Sequence, residues 1–220
     1  MSQETCEPNY IAVEGVIGVG KTSFARMLAE RLDATLVNEE VFDNPFLVDF
    51  YKNKTRYALS CQLYFLISRF QQQQQLMMRD LFAQRIVADY LYAKDSIFAS
   101  VNLSERELAL YNRISPVLAR DIPKPDLVIY LQASSPVLLE RIRSRSFTFE
   151  KPIDLDYVEG LNKAYDYYFF HYTETPLLVV KTDEIDFVHN VDHFDDLIEQ
   201  LRKPVVGKKY YVPAGDLSRK

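Results

Sequence analysis

The chain has 220 residues, 48% of them apolar and 26% charged, with only 6 glycines, a composition that excludes disordered, collagen-like and low-complexity architectures. Its 26 basic and 31 acidic residues leave a formal charge of −5, which disfavours sequence-independent binding to a nucleic-acid polymer.

Tyr10–Glu14 (YIAVE) reads as a short buried strand ending at a glycine. From Lys21 the apolar residues Phe24, Met27, Leu28 and Leu32 recur every three or four positions, as on a helix. Ala34–Asn38 is a second buried strand, running into the acidic pair Glu39–Glu40, and Asn44-Pro45 opens a loop or helix. A long helix is expected from Arg56 to Phe82, carrying Leu59, Leu63, Leu66, Ile67 and Phe70. The glutamines 71–75 inside it are expected to form a solvated face. Arg85–Tyr90 is the third strand, and Ser104–Ala119 a helix with Ser104 and Glu107 as its capping box. After Pro123-Lys124-Pro125 comes a fourth strand, Leu127–Gln132, then helices at Pro136–Arg145 and Leu155–Tyr172 and a fifth strand at Leu177–Val180.

Strands alternating with helices predict an α/β fold in which a five-stranded parallel sheet is flanked by helices. No composition break marks a linker, so residues 1–202 are expected to be one domain, with a basic tail at 203–220 lying on the surface or flexible. Cys6 and Cys61 are too few for a disulfide framework and lack zinc-ligand spacing, which suits reduced thiols. His171, His189 and His193 show no nucleophile or ligand pattern. No apolar run reaches the ~18 residues of a membrane span, and the N-terminus has no export signal, so a cytoplasmic protein without a membrane partner is expected.

Gly15-Val16-Ile17-Gly18-Val19-Gly20-Lys21-Thr22 fits G-x-x-x-x-G-K-[ST] at every fixed position, between a strand and an amphipathic helix. Glycines let the backbone curl with its N–H groups inward, and the helix N-terminus adds positive potential for phosphates. Lys21 would reach the β- and γ-phosphates of a nucleoside triphosphate, and the Thr22 hydroxyl would complete a Mg²⁺ shell. A GTPase should carry N-K-x-D after a strand, but the comparable run Asn162-Lys163-Ala164-Tyr165 lacks the aspartate and falls in a predicted helix. A DNA-linked ATPase would want basic patches, which the acidic balance does not promise.

Further motifs carry a resemblance: E-G-x-I-G-x-G-K-[ST] at 14–22, the acidic strand end at 39–40, Asn44-Pro45-Phe46, Gln62 with Arg69 seven residues on, I-F-A at 97–99, and I-Y-L at 129–131 before a helix ending in arginines. In this order and spacing the chain resembles the deoxyribonucleoside kinases, nearest the bacterial deoxyadenosine/deoxyguanosine kinase branch, over residues 10–200. The resemblance implies a P-loop kinase fold with an arginine-bearing lid, ATP and Mg²⁺, a deoxynucleoside acceptor with a purine favoured, and a homodimer packed through helices. Glu39, at a strand end beside the phosphate loop, is placed to take a proton from an attacking hydroxyl, and it matches the family's general base. Gln62 can pair with a base edge through a donor and an acceptor, and matches the family's base-reading glutamine. By the same resemblance Arg69 supports base recognition, while Tyr51 and Glu150 contact the sugar 3′-hydroxyl. The segment Thr182–Asn190 would wrap the adenine of ATP. Arg141 and Arg145 share one helix face and can clamp a transferring phosphoryl group.

Departures from the family pattern are equally specific. Glu40 stands where many relatives have proline and reads as an exposed loop carboxylate. Ala88-Asp89-Tyr90 replaces an acidic-Arg-Ser/Thr triplet; Asp89 still ends a strand and can hold Mg²⁺, or else it faces the substrate. Lys94 stands where many relatives have aspartate, and either contacts a purine acceptor or is a surface lysine. Phe147 replaces a lid arginine. Two other functions compete: a nucleoside monophosphate kinase of the thymidylate kinase type, which would need extra basic residues for the acceptor phosphate, and a non-enzymatic ATP-dependent interaction protein.

Overall fold

A computed structural model describes residues 8–78, 85–145, 147–188 and 190–213, without the side chains of residues 77 and 78. Cys6, His189 and the part of the long expected helix from 79 to Phe82 lie outside the described residues. The elements in order are β1 (Tyr10–Glu14), α1 (Lys21–Leu32), β2 (Thr35–Val37), a 3₁₀ turn at Val41–Asp43, α2 (Leu47–Lys52), α3 (Lys54–Met78) and β3 (Ile86–Ala88). They continue with α4 (Lys94–Asn102), α5 (Glu105–Ala119), β4 (Leu127–Gln132), α6 (Ser135–Ser144), a 3₁₀ turn at Thr148–Glu150, α7 (Leu155–His171), β5 (Leu177–Lys181), α8 (Val191–Leu201) and β6 (Lys208–Tyr211).

All strand pairs are parallel, in the order β2-β3-β1-β4-β5-β6. β1 is buried along its whole length and β4 at all but its last residue, as the near-continuous apolar runs require of central parallel strands. Among the described residues the sheet therefore has six strands, one more than the five expected. The additional strand, β6, lies in the segment expected to be a tail: Leu177 to Val180 of β5 pair with Lys208 to Tyr211. Two helices were also unread in the sequence, α4 and α8. The capping box at the start of α5 forms as expected, with Glu107 accepting from the Ser104 backbone N–H at 2.9 Å.

The glutamine run is not uniformly solvated. Gln73 is fully buried, and its amide donates to the hydroxyls of Tyr90 at 3.0 Å and Tyr10 at 3.3 Å. It ties α3 to β1 and to the end of β3, behind the substrate-side groups. Gln73→Ala is expected to cost about 1–3 kcal/mol of unfolding free energy in denaturant melts, because two buried hydroxyls lose a partner. An unchanged midpoint and slope would show that the network is dispensable.

Candidate active site

The strand order places β1 centrally, so the loop from Gly15 to Gly20 opens at the carboxyl end of the sheet between neighbours on both sides. Gly18 has φ of +90°, and a Cβ there would stand 2.7 Å from the carbonyl oxygen of Leu138. Gly20 has φ of +102° and caps α1 without a side chain, which leaves the first-turn N–H groups of that helix available to an anion. Lys21 is buried, and its ammonium donates to the carbonyls of Gly15 at 2.7 Å and Val16 at 3.3 Å. Burial, helped by the Lys94 ammonium, pulls its pKa down to about 8, against the pull of Glu14, Glu39 and Asp89.

Glu14, at the end of β1, is wholly buried. Its carboxylate accepts from the backbone N–H of Gly15 and of Leu91, both at 2.8 Å, and from the Tyr165 hydroxyl at 3.1 Å. Its burial raises its pKa despite the nearby lysines. Although it stands in the quoted motif, no role had been read for it; its one sequence signal was an acid inside an otherwise apolar strand run. It fastens the phosphate loop to the β3–α4 connection and to α7. The Tyr165 hydroxyl thus ties α7 to the end of β1.

Asp89 follows β3 and accepts from the Thr22 hydroxyl at 2.9 Å and from the Glu39 backbone N–H at 2.6 Å. Thr22 and Asp89 thus meet across 67 residues of sequence. A hydroxyl and a carboxylate beside a phosphate loop are the oxygen donors that suit Mg²⁺, which takes few protein ligands and completes its shell with water and phosphate. Burial, then the Glu39 charge, push the Asp89 carboxyl above its ordinary pKa, a setting in which a bound cation would be welcome.

Glu39 lies just beyond β2 with its side chain 8% exposed. One carboxylate oxygen accepts from Arg69 Nη2 at 2.6 Å and Nε at 3.2 Å; the other is paired with the Lys94 ammonium. Burial alone would raise its pKa, but Lys94 and Arg69 reverse that and hold it at about 2. Lys94 is buried at the first position of α4, so the surface reading of this residue does not hold. Glu40 is exposed, as expected.

Arg69 reaches further. Its Nη1 pairs with Asp95, a carboxylate 1% exposed. Asp95 also accepts from the Tyr111 hydroxyl at 2.6 Å and from the Gln62 amide at 2.6 Å. Asp95 was missed in the sequence. Its meaning depends on a glutamine 33 residues away, so nothing local announces it.

Tyr51 is buried on α2, its ring 5.9 Å from that of Phe149. Glu150 is buried too, and Arg145 approaches its Oε1 at 3.6 Å. Among the described residues its Oε2 has no hydrogen-bond partner, and burial raises its pKa. Arg141 donates to the Thr182 carbonyl at 2.7 Å and reaches the Val19 carbonyl at 3.4 Å, lying across the phosphate loop and the start of the 182–190 segment. Where the resemblance expects a lid arginine, Phe147 instead stacks on Phe149 at 5.6 Å and meets Phe42 edge-on at 5.4 Å.

One cavity of about 1560 Å³ gathers these groups. Ile17 to Thr22, Glu39, Tyr51, Gln62, Arg69, Asp89, Lys94, Arg141, Arg145 and Glu150 all line it. Gly15 and Val16 do not; they contribute the carbonyls that hold Lys21. A phosphate cradle, an oxygen pair suited to a divalent cation and a paired carboxylate therefore open onto one space.

The family model for deoxynucleoside kinases matches residues 11–206. The chain belongs to the deoxynucleoside kinase family. It is 36% identical to the deoxyguanosine kinase of Bacillus subtilis over 204 residues, covering 90% of this chain and 98% of that one. It is 37% identical to the deoxyadenosine kinase of Dictyostelium discoideum over 170 residues, 75% of this chain and 68% of the relative. The structure of deoxyadenosine kinase from M. mycoides with bound dCTP superposes with a TM-score of 0.76 at 26% identity, covering 87% and 98% of the two chains. The P-loop kinase fold and a nucleoside-phosphorylating activity follow. Among the described residues no helix is long and apolar enough to cross a membrane.

Proposed function

We propose that this deoxynucleoside kinase transfers the γ-phosphoryl group of ATP to the 5′-hydroxyl of a purine deoxyribonucleoside in the cytoplasm, working as a homodimer without a nucleic-acid or membrane partner. The observation that carries the reading is Glu39. A carboxylate kept ionised by Arg69 and Lys94 opens onto the same cavity as Lys21 and the Thr22–Asp89 pair.

In this reading Glu39 orients the 5′-hydroxyl and takes up its proton as the oxygen attacks. Lys21, Arg141 and Arg145 offset charge on the transferring group. Thr22 and Asp89 would hold Mg²⁺, which when bound would supply a Lewis acid for the phosphate oxygens. Gln62 and Arg69 face the base. Lys94 contributes mainly through Glu39, the carboxylate with which it is paired. Tyr51 and Glu150 hold the sugar, and the partnerless Glu150 oxygen supports this as an acceptor for the 3′-hydroxyl. Loop Gly15–Gly20 cradles the phosphates, and residues 182–190 cover the nucleotide base.

A coupled ADP-release assay against matched panels of nucleosides and nucleoside monophosphates tests the acceptor. Turnover is expected with deoxynucleosides and not with monophosphates. Turnover confined to monophosphates would replace this reading with the thymidylate kinase type. Light scattering of the purified chain tests the homodimer, which a monomeric mass would refute.

A further inference from the structure

Two short turns meet at the cavity through their aromatic side chains. The 3₁₀ turn Val41–Asp43 comes shortly after Glu39, and the 3₁₀ turn Thr148–Glu150 comes after α6 and carries Glu150. Phe42 meets Phe147 edge-on at 5.4 Å and Phe149 edge-on at 6.0 Å. Phe147 and Phe149 stack on one another at 5.6 Å. These separations and orientations are the favourable ones for aromatic pairs. The buried Tyr51 ring lies 5.9 Å from that of Phe149, and the Arg145 guanidinium carbon lies 6.0 Å from the centre of the Phe147 ring. Phe42, Phe147, Phe149, Tyr51, Arg145 and Glu150 all line the cavity.

Phe42 is 67% exposed and Phe147 38%, while Phe149 packs against the core. A lone exposed phenylalanine is ordinary. Here two of them, from opposite halves of the chain, converge on a third at the cavity. Each ring contact is weak enough to part and re-form, which suits a seam between two segments better than a fixed core. Phe147 also differs from Arg141 and Arg145 before it, since a phenyl ring carries no charge for a phosphate to draw in. Ring contact joins its segment to the 41–43 turn, and that contact needs no bound triphosphate.

We propose that Phe42 is a positioning residue for nucleoside binding: by packing on Phe147 and Phe149 it holds the 148–150 turn against the 41–43 turn, and so keeps Glu150 at the sugar and the nucleoside enclosed. The inference rests on the reading of this cavity as the nucleoside site. Phe42 acts through the two rings of the lid rather than by contact with the substrate. Removing its ring shifts the population toward an arrangement in which the two turns have parted and the nucleoside escapes sooner.

The test is isothermal titration of the full chain, parent against Phe42→Ala. The ligands are the tightest-bound of deoxyguanosine, deoxyadenosine and deoxycytidine and, separately, ATP with Mg²⁺. Nucleoside affinity should fall at least ~5-fold, the loss of two aromatic contacts, while ATP affinity changes by less than ~2-fold. The melting temperature should stay near that of the parent, because the ring is mostly exposed. Phe42→Tyr keeps the ring and should restore nucleoside affinity. Backbone amides of residues 147–150 should exchange hydrogen faster in Phe42→Ala. Unchanged nucleoside affinity, an equal loss for both ligands or no rescue by tyrosine would overturn the proposal while leaving the kinase reading intact. Should Phe42→Ala fail to fold, Phe147→Ala breaks the same contact from the other side and must give the same split between the ligands. If the parent neither binds nor phosphorylates any deoxynucleoside, the reading of the cavity fails and the role of Phe42 with it.

Discussion

Lys21→Met is expected to lower kcat by on the order of 10²–10³-fold while the protein stays folded. Lys21 is held by two loop carbonyls, so its ammonium stands where developing phosphate charge would be met. It is also a buried cation whose pKa has been drawn down to about 8, chiefly by the cost of removing it from water. Methionine keeps most of the length of the side chain and removes that cost, so the melting temperature should not fall. The two readouts therefore move apart, which a general loss of structure could not produce. Steady-state kinetics with a thermal melt measures both. A kcat within a few-fold of the parent would exclude Lys21 from the chemistry.

Glu39→Gln should lose at least ~10²-fold in kcat with nucleoside affinity largely kept. Glutamine is close to glutamate in size, but it can neither take up the proton of the attacking hydroxyl nor carry the charge that balances Arg69 and Lys94. Both cations are almost fully buried, with side chains 5% and 7% exposed, so the variant also loses a buried pairing. Breaking such a pair typically costs about 3–5 kcal/mol of stability. Kinetics must therefore be read below the lowered melting transition. Isothermal titration with nucleoside separates binding from turnover. If the rate is unaffected, Glu39 is not the base.

What could be read from the sequence was what is local. The phosphate loop, its strand and its helix occupy consecutive residues, and their geometry follows from glycine positions and apolar spacing. Helix α4 has no such signal: it is short, begins at a buried lysine and has an alanine rather than a polar residue at its cap. Helix α8 did carry one, since Asn190 caps it and Phe194, Leu197, Ile198 and Leu201 repeat on one face. Strand β6 reads KKYY and takes its place only because the edge of β5 is there to pair with it. Within the site, Glu39 was legible as an acid at a strand end beside the phosphate loop, and Gln62 and Arg69 through the family resemblance. The pairing of Lys94 with Glu39 and of Asp95 with Gln62 arises from tertiary approach and had no local trace. Gln73 looked like one of five equivalent polar residues until the fold turned it toward two tyrosines.

Arg69 has one more consequence. A single guanidinium grips the carboxylate beside the amide of Gln62 and, with its other nitrogens, Glu39. A displacement of the first contact is therefore felt at the second, and a change at Asp95 should reach Glu39. The same joint limits how the enzyme can evolve. A lineage that substitutes position 95 also alters the pairing of Glu39 through Arg69, and would need a compensating change elsewhere in the pocket.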